Sequence, residues 1–360
     1  MKKLPLSDLH EASGAKMIDF NGYYMPVEFS GMKEEHLNVR NHAGIFDVSH
    51  MGEFMVSGPG AFELIQRLTT NDISKLFPGK AQYTCFPNGK GGIIDDLIIY
   101  QLEPAKYMLV VNAANREKDW KWIEDNNDHQ AHIEDHSGQT GLFAVQGPKA
   151  GQVLSKLTDI NLQAIKPFHF QVTTLAGVKD VMVSATGYTG SGGFELYFNN
   201  EFAEKLWTEI LKAGKEQNIV PVGLGARDTL RIEAGLCLYG NDIDANTSPI
   251  EAGLAWITKF NENNHFVDRE YLWEQKINGI KSKLVGFKLQ EKGIPRKGYE
   301  ILNKQHEPIG TVTSGTLSPL LNQGIGMGYV LYNEAFNGNE IYIKIRKKEI
   351  PAYIDKFPFF

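Results

Sequence analysis

Two adjacent carboxylates interrupt an apolar run in the segment Gly91-Gly92-Ile93-Ile94-Asp95-Asp96-Leu97-Ile98-Ile99-Tyr100. The β-branched residues predict a strand over 93–101, although strands disfavour aspartate and an unpartnered buried carboxylate costs several kcal/mol. Side chains alternate across a strand, so Asp95 and Asp96 lie on opposite faces. The two carboxylates therefore do not form an acid–base pair, and periodicity alone leaves open which of them faces a pocket.

A short polar turn follows this strand and leads into a second one. The turn, Leu102-Glu103-Pro104-Ala105-Lys106, precedes a β-rich run over 107–112, and this order predicts a hairpin. The second strand ends at Asn112, whose amide can present a donor and an acceptor to a heteroaromatic ring. Asn115, three residues on, is more typical of a helix N-cap.

The rest of the chain mixes the two kinds of element. Helix-like apolar spacing occurs at 32–42, 60–70, Arg116–Asn126, Pro148–Leu157, Glu201–Ala213 and Asp268–Ile277. Strand-like runs occur at 82–86, 141–146, 178–184 and 193–198, and after a polar linker at 278–283 also at 284–289, 310–313 and 341–345. The pattern predicts an α+β fold with a boundary near residue 280, so that 1–279 form one region and 280–360 a small all-β domain.

Composition excludes several classes of protein. The 360 residues carry a formal net charge of −6, which argues against a binder of nucleic acid that neutralises phosphates with clustered Lys and Arg. No segment approaches the roughly 18 apolar residues that a membrane span requires, and the N-terminal residues lack an apolar leader. We expect a cytoplasmic protein in a prokaryote-like setting, with no membrane or nucleic-acid partner.

Neither the cysteines nor the histidines predict a metal site or a disulfide. Cys85 and Cys237 each lie in an apolar stretch, as expected for buried free thiols. One pair of the ten histidines, His132 and His136, has a four-residue spacing, but the chain contains no H-E-x-x-H motif. We expect no bound metal.

Two glycine-containing segments and one dipeptide are considered as possible functional sites. The segment 187–196 is dense in glycine, and a plain hairpin turn accounts for it. The segment 223–228 opens a helix but lacks the third glycine of a dinucleotide loop, so NAD, FAD and ATP are rejected. For the pair Ser49-His50 no nucleophile elbow is present, which favours a loop or pocket lining over acyl transfer.

The helix that begins near residue 224 carries two arginines four residues apart. Arg227 and Arg231 fall on one face, which is mildly unfavourable unless an anion lies between them. A ligand carboxylate would satisfy the pair, and a salt bridge from Asp228 or Glu233 would do so equally well.

Taken together, a series of motifs resembles the glycine cleavage T-protein (aminomethyltransferase) family. In order they are D-F-N-G-Y-Y-M-P at 19–26, F-D-V-S-H-M-G at 46–52, L-T-T-N-D at 68–72, G-G-I-I-D-D-L at 91–97, V-V-N-A-A-N at 110–115, G-L-G-A-R-D at 223–228 and T-S-G-T-L-S-P at 313–319. The resemblance implies a cloverleaf-like arrangement of two intertwined α+β subdomains followed by a C-terminal β-barrel or jelly-roll. It also implies an aminomethyltransferase that moves the carbon from the lipoyl arm of H-protein to the co-substrate tetrahydrofolate and releases ammonia.

The resemblance also supplies roles for individual residues. It implies that Asp96 faces the carbon-accepting nitrogens of folate, where its charge stabilises the cationic species formed as ammonia departs. It further implies a folate pocket lined by Tyr83, Tyr100, Val110, Asn112, Tyr188, Glu195, Arg227 and Trp256. In that pocket Glu195 would pair with the amino-pyrimidine edge of the pterin, and Arg227 with a carboxylate.

The sequence departs from the family pattern at two places. Ser191 and Gly192 replace two acidic residues of the loop G-Y-T-G-E-D-G-F-E, and the chain lacks an arginine often found near the family's C terminus. Two alternative functions remain: a related folate-dependent demethylase, and a non-catalytic folate-binding protein. The second is disfavoured because the region 265–272 lacks the K-G-C-Y-x-G-Q-E segment of such proteins.

Overall fold

Eight α-helices and twenty β-strands form the protein in a computed structural model that describes residues 1–360. The helices are α1 Ser7–Ala12, α2 Met32–Asn41, α3 Ala61–Leu68, α4 Arg116–Asp125, α5 Ala150–Leu154, α6 Ala203–Ala213, α7 Leu224–Ala234 and α8 Arg269–Asn278. The mixture, in which most strand pairs are antiparallel, confirms the predicted α+β class.

The strands are distributed along the whole chain. They are β1 Lys2–Lys3, β2 Lys16–Phe20, β3 Tyr23–Glu28, β4 Ala43–Asp47, β5 Gly52–Ser57, β6 Lys80–Pro87, β7 Ile93–Glu103, β8 Lys106–Val111, β9 His132–Asp135, β10 Thr140–Gln146, β11 Phe170–Leu175, β12 Val178–Ser184, β13 Gly193–Asn199, β14 Ile219–Pro221, β15 Ser282–Leu289, β16 Glu300–Leu302, β17 Pro308–Ser318, β18 Gln323–Leu331, β19 Glu340–Ile345 and β20 Lys348–Asp355. None of the helices combines the length and apolar character needed to cross a bilayer.

The chain divides into two compact units, each made of three segments. The first unit comprises Met1–Ala61, Ser74–Gln82 and Ile98–Leu230, and the second comprises Phe62–Ile73, Tyr83–Leu97 and Arg231–Phe360. The predicted division into 1–279 and 280–360 is a different, purely sequential one, and it stays a prediction.

The first unit is built on a six-stranded sheet of order β11-β12-β13-β10-β4-β14. Its inward side chains, such as Ile45 and Leu196, pack in a buried cluster with Leu206, Trp207 and Ile210 of α6. Apolar residues at this helical spacing form one stripe, and burying that stripe fixes α6 against the sheet. The central strand β13 is thereby held in place between β10 and β12.

The predicted hairpin is formed by β7 and β8, which belong to a five-stranded sheet of order β6-β7-β8-β5-β9. Their turn contains Ala105 at φ 53°, a left-handed conformation that suits a tight connection. The strands predicted over 141–146, 178–184 and 193–198 are also present, as β10, β12 and β13. Local alternation and turn chemistry were sufficient for these elements.

The predicted helix over Pro148–Leu157 is wrong in length, because α5 has only five residues. Gly151 lies inside it and is a poor helix former. The Ser155 hydroxyl donates to the Gly151 carbonyl at 2.6 Å, and a side chain that bonds to the backbone in this way competes with helix continuation.

Six strands of the second unit close into a barrel of order β15-β18-β17-β16-β19-β20. β15 pairs with both β18 and β20, so no strand edge remains open. Buried side chains, among them Phe287, Ile301 and Ile343, fill the interior. This confirms the predicted C-terminal barrel and decides for the barrel over the jelly-roll.

Candidate functional site

The two aspartates of β7 lie on opposite faces of the strand, as alternation requires. Asp95 has no exposed surface, whereas Asp96 is half-buried. The Tyr83 hydroxyl donates to Asp96 Oδ2 at 2.8 Å, and it reaches across from the neighbouring strand β6. The carboxylate of Asp96 is therefore both accessible and oriented by a second side chain.

The surroundings of Asp96 in the second unit are apolar and weakly reactive. Burial and the charge of Asp96 hold the pKa of Tyr83 well above its usual value, so that the hydroxyl keeps the proton it donates. Burial also raises the pKa of the Cys85 and Cys237 thiols, which are free as predicted. These cysteines are poor nucleophiles because the thiolate is the reactive form.

Trp256 stands beside this carboxylate–phenol pair. Its ring centroid lies 6.0 Å from that of Tyr83, and 58% of the residue is exposed. A large exposed aromatic face next to an oriented carboxylate can stack on a planar ligand. The structure thus groups three of the predicted site residues, Tyr83, Asp96 and Trp256, in the second unit.

A second group of predicted residues forms in the first unit around Glu195 on β13. Glu195 is buried, and its Oε2 accepts a hydrogen bond from the Thr186 hydroxyl at 2.5 Å. Tyr100 contacts Thr186 at 3.1 Å and Tyr197 at 3.0 Å, which extends the network behind the carboxyl group. Burial raises the pKa of Glu195, while the Thr186 hydroxyl and the charge of Arg227 oppose that shift.

Arg227 on α7 belongs to the same group. Its guanidinium carbon lies 4.6 Å from the centroid of the Tyr188 ring, a cation–π distance. Its Nη1 is buried and has no hydrogen-bond partner in the protein. Burial lowers the pKa of Arg227 and Glu195 opposes this, and a guanidinium stays protonated in either case. A buried donor of this kind is suited to an anionic group of a ligand.

Arg231, the second arginine of this helix, has an acidic partner within the protein. Arg231 Nη1 donates to Asp242 Oδ2 at 2.6 Å, and both side chains are almost fully buried. The sequence offered Asp228, Glu233 or a ligand carboxylate as partners, and Asp242 lies eleven residues along the chain. Glu233 accepts a hydrogen bond from the Ser318 hydroxyl.

The remaining predicted pocket residues present less surface. Tyr100 is fully buried, Val110 is 4% exposed, and the two belong to one apolar cluster. Asn112 is half-buried directly after β8. Tyr100 and Val110 therefore form a wall behind Glu195 and its network. Asn115 precedes α4 at the predicted cap position, but its side chain makes no capping hydrogen bond.

The glycine-dense loop is a hairpin connection between β12 and β13, as the simpler reading predicts. A Cβ on Gly193, at φ 125°, would lie 2.3 Å from the Val145 carbonyl oxygen, so this position requires glycine. Arg40 Nη1 donates to the Thr189 carbonyl and to the Ser191 hydroxyl, both at 2.6 Å. Ser191, which departs from the family pattern, thus helps to hold the loop in place.

His50 is a functional candidate that the sequence offered only as loop structure or pocket lining, in the pair Ser49-His50. The neighbouring Ser49 hydroxyl donates to Asp47 Oδ1 at 2.7 Å, which supports the rejection of acyl transfer. His50 itself is buried with an unpartnered Nδ1. Burial and the nearby charge of Arg227 lower its pKa to about 4, against the weaker pull of Asp47. A neutral imidazole beside Arg227 leaves no sequence signal because both effects arise from tertiary packing.

The depressed pKa of His50 predicts a pH effect on stability. The unfolded chain binds a proton near pH 6.5 and the folded chain only near pH 4, so stability falls as pH drops through this window. From pH 7 to pH 4.5 we expect this residue to remove about 2–3 kcal/mol. Urea unfolding of His50→Gln should show a correspondingly smaller loss over the same range. The exposed control His129→Gln should behave as wild type, and a His50→Gln profile parallel to wild type would contradict the prediction.

Comparison with known proteins defines the class of this fold and site. The family model for the GCVT N-terminal domain matches residues 6–262, and that for the glycine cleavage T-protein C-terminal barrel domain matches residues 283–360. The α+β region and the closed barrel are thus both accounted for, and the chain falls in the class of one-carbon-transferring enzymes.

Relatives similar over their full length narrow the assignment further. An aminomethyltransferase from Bacteroides thetaiotaomicron is 55% identical over 100% of this chain and 99% of its own length. Another, from Halothermothrix orenii, is 47% identical over 100% of both chains. The crystal structure of glycine cleavage system aminomethyltransferase T from Bartonella henselae superimposes with a TM-score of 0.93 at 34% identity, covering 100% of this chain and 98% of that one. The chain belongs to the glycine cleavage T-protein family and is an aminomethyltransferase.

Proposed function

We propose that this enzyme takes the aminomethyl group from the lipoyl arm of H-protein and delivers its carbon to tetrahydrofolate. The methylene carbon would exchange its bonds to sulfur and to the amine nitrogen for bonds to two folate nitrogens. The products are ammonia, 5,10-methylenetetrahydrofolate and the reduced lipoyl thiol, so atoms and protons balance. Full-length membership of the aminomethyltransferase family supports this reaction.

The observation that carries the mechanism is the oriented, half-exposed carboxylate of Asp96. A fixed negative charge stabilises positive charge that develops as ammonia leaves, and it does so without reorganising at the moment of reaction. The hydrogen bond from Tyr83 holds that carboxylate in place before substrate arrives. Trp256 offers an exposed aromatic face to the planar part of folate.

The family resemblance also assigns the residues around Glu195 to folate binding. Glu195 can pair with the amino-pyrimidine edge of the pterin, where a carboxyl group held by Thr186 meets two donors. The unpartnered Nη1 of Arg227 can bind a carboxylate, with Tyr188 supporting the guanidinium. Asn112 can add a donor and an acceptor, while Tyr100 and Val110 complete the wall.

The proposal is tested by measuring ammonia release and methylene-tetrahydrofolate formation from aminomethylated H-protein, with and without tetrahydrofolate. Release that depends on tetrahydrofolate is the expected result. Tight tetrahydrofolate binding without release would overturn the proposed reaction and favour a demethylase or a non-catalytic folate-binding protein.

Removing the guanidinium of Arg227 should weaken ligand binding. Because a hydrogen bond to a charged group contributes about 1.5–3 kcal/mol, we expect Arg227→Ala to raise the Kd for tetrahydrofolate or the KM for H-protein about tenfold to a hundredfold. Isothermal titration and initial rates would measure the two effects. The exposed Arg296→Ala serves as the control, and unchanged affinity for both ligands in Arg227→Ala would remove this residue from the binding site.

A further inference from the structure

A loop of the second unit holds the start of the strand that carries Asp96. Residues 236–247 form this loop, the clamp loop. The Ile93 N–H donates to the Asp244 carbonyl oxygen at 3.0 Å, and the Tyr239 hydroxyl donates to the Ile93 carbonyl oxygen at 3.0 Å. Both backbone polar groups of Ile93 are therefore bound by the clamp loop, three residues before Asp96.

The contact between the clamp loop and the strand is close as well as polar. A Cβ on Gly92 would lie 1.9 Å from the Ala245 carbonyl oxygen, so only glycine permits this approach of the two backbones. The Asn88 side-chain amide donates to the same carbonyl oxygen at 2.9 Å. A shift of the clamp loop would be transmitted directly to the strand.

The clamp loop is itself fixed by Asp242. Asp242 Oδ2 accepts from Arg231 Nη1 at 2.6 Å and from the Leu238 N–H at 3.0 Å, and the carboxylate is fully buried. Arg231 also donates to the Leu236 carbonyl at 3.2 Å, at the beginning of the loop. Charge-assisted hydrogen bonds in a buried setting are strong and directional.

The barrel supplies the rest of the anchor. Thr313 and Ser314 on β17 donate to the Asp242 carboxylate at 2.5 and 3.0 Å. Tyr329 on β18 donates to the Asp242 carbonyl oxygen at 2.8 Å. The closed barrel thereby acts as the rigid base of the clamp loop.

We propose that Tyr239 is a positioning residue for aminomethyl transfer, whose hydroxyl, carried by a loop anchored on the Arg231–Asp242 pair, fixes the strand that bears Asp96. Tyr239 acts through Ile93 and does not touch the reacting atoms. The inference rests on the proposed role of Asp96. It assigns a purpose to the loop and its buried ion pair beyond stability, because a displacement of about 1 Å at a catalytic group can cost about a hundredfold in rate.

The test is Tyr239→Phe, which removes one hydroxyl and keeps the ring. We expect kcat for methylene-tetrahydrofolate formation to fall about tenfold, with the KM for H-protein and the Kd for tetrahydrofolate within twofold of wild type. In an Asp96→Asn background the same change should produce no further loss, because a misplaced strand matters only when its carboxylate is present. Tyr342→Phe is the matched control, since its hydroxyl bonds to Glu340 elsewhere in the barrel and kcat should not change.

Two results would overturn the positioning role. A Tyr239→Phe enzyme with kcat within twofold of wild type would do so, and so would an equal loss of kcat in both backgrounds, which indicates a general structural effect. Failure of the proposed function is recognised separately, since the wild-type enzyme would then release no ammonia, and failure of the role of Asp96 would leave Asp96→Asn turning over like wild type.

Discussion

Replacement of Asp96 by Asn should lower turnover by about 10²–10³-fold, the cost of removing one preorganised electrostatic group from a transition state. Asparagine has nearly the same shape and can still accept the hydrogen bond from Tyr83, so the fold and the tetrahydrofolate affinity should be retained. The variant lacks only the negative charge that faces the developing cation. Single-turnover ammonia release and fluorescence titration with tetrahydrofolate would separate the two effects.

Asp95→Asn is the matched control for this experiment. The same substitution is made one residue earlier on β7, but on the buried face of the strand. Its effect should appear in stability, with kcat per folded molecule near the wild-type value. Equal losses of turnover in the two variants, or unchanged turnover in Asp96→Asn, would remove Asp96 from the mechanism.

Replacement of Arg231 by Met should give the largest loss of stability. It would leave the Asp242 carboxylate buried without its counter-charge, and breaking one side of a buried pair costs about 3–5 kcal/mol. Leu238, Thr313 and Ser314 would still donate to Asp242, which keeps the expected loss within that range. The midpoint of urea unfolding, together with its slope, would measure the change.

The control for this prediction is a solvent-exposed pair in the same barrel. Lys344 contacts Glu300 at 2.6 Å, with both side chains nearly half exposed. Lys344→Met should cost less than about 1 kcal/mol because water and side-chain entropy offset such pairs. If Arg231→Met were no more destabilising than Lys344→Met, the Arg231–Asp242 ion pair would not anchor the clamp loop.

Local rules predict part of this molecule well. Alternation along β7 places Asp95 and Asp96 on opposite faces, and the structure shows one buried and one accessible. The polar turn at 102–106 produces the β7–β8 hairpin because few backbone conformations connect two adjacent antiparallel strands. The C-terminal run of short strands likewise predicts an all-β domain, and the family resemblance supplied the barrel.

Those local rules do not predict contacts between segments that are far apart in the sequence. Helical spacing predicts partners for Arg231 only three or four residues away, whereas its partner Asp242 lies in a loop. The same carboxylate also accepts hydrogen bonds from Thr313 and Ser314, which lie more than 70 residues further along the chain. The neutral state of His50 depends on burial and on Arg227, and neither is visible in its own segment. The choice of Asp96 over Asp95 came from family resemblance, and the roles of the site residues stay predictions for the experiments above.

The three-segment construction of the second unit also affects how the protein is made. Residues 62–73 and 83–97 emerge early from the ribosome, yet the other segment of their compact unit begins only at residue 231. At about 5–20 residues per second, the intervening stretch takes on the order of ten seconds to synthesise. Throughout that time the strand that carries Asp96 lacks the clamp loop and the barrel. The second unit is therefore complete only when translation is nearly finished, and under the proposed role of Asp96 an interrupted chain would lack the support of its carboxylate.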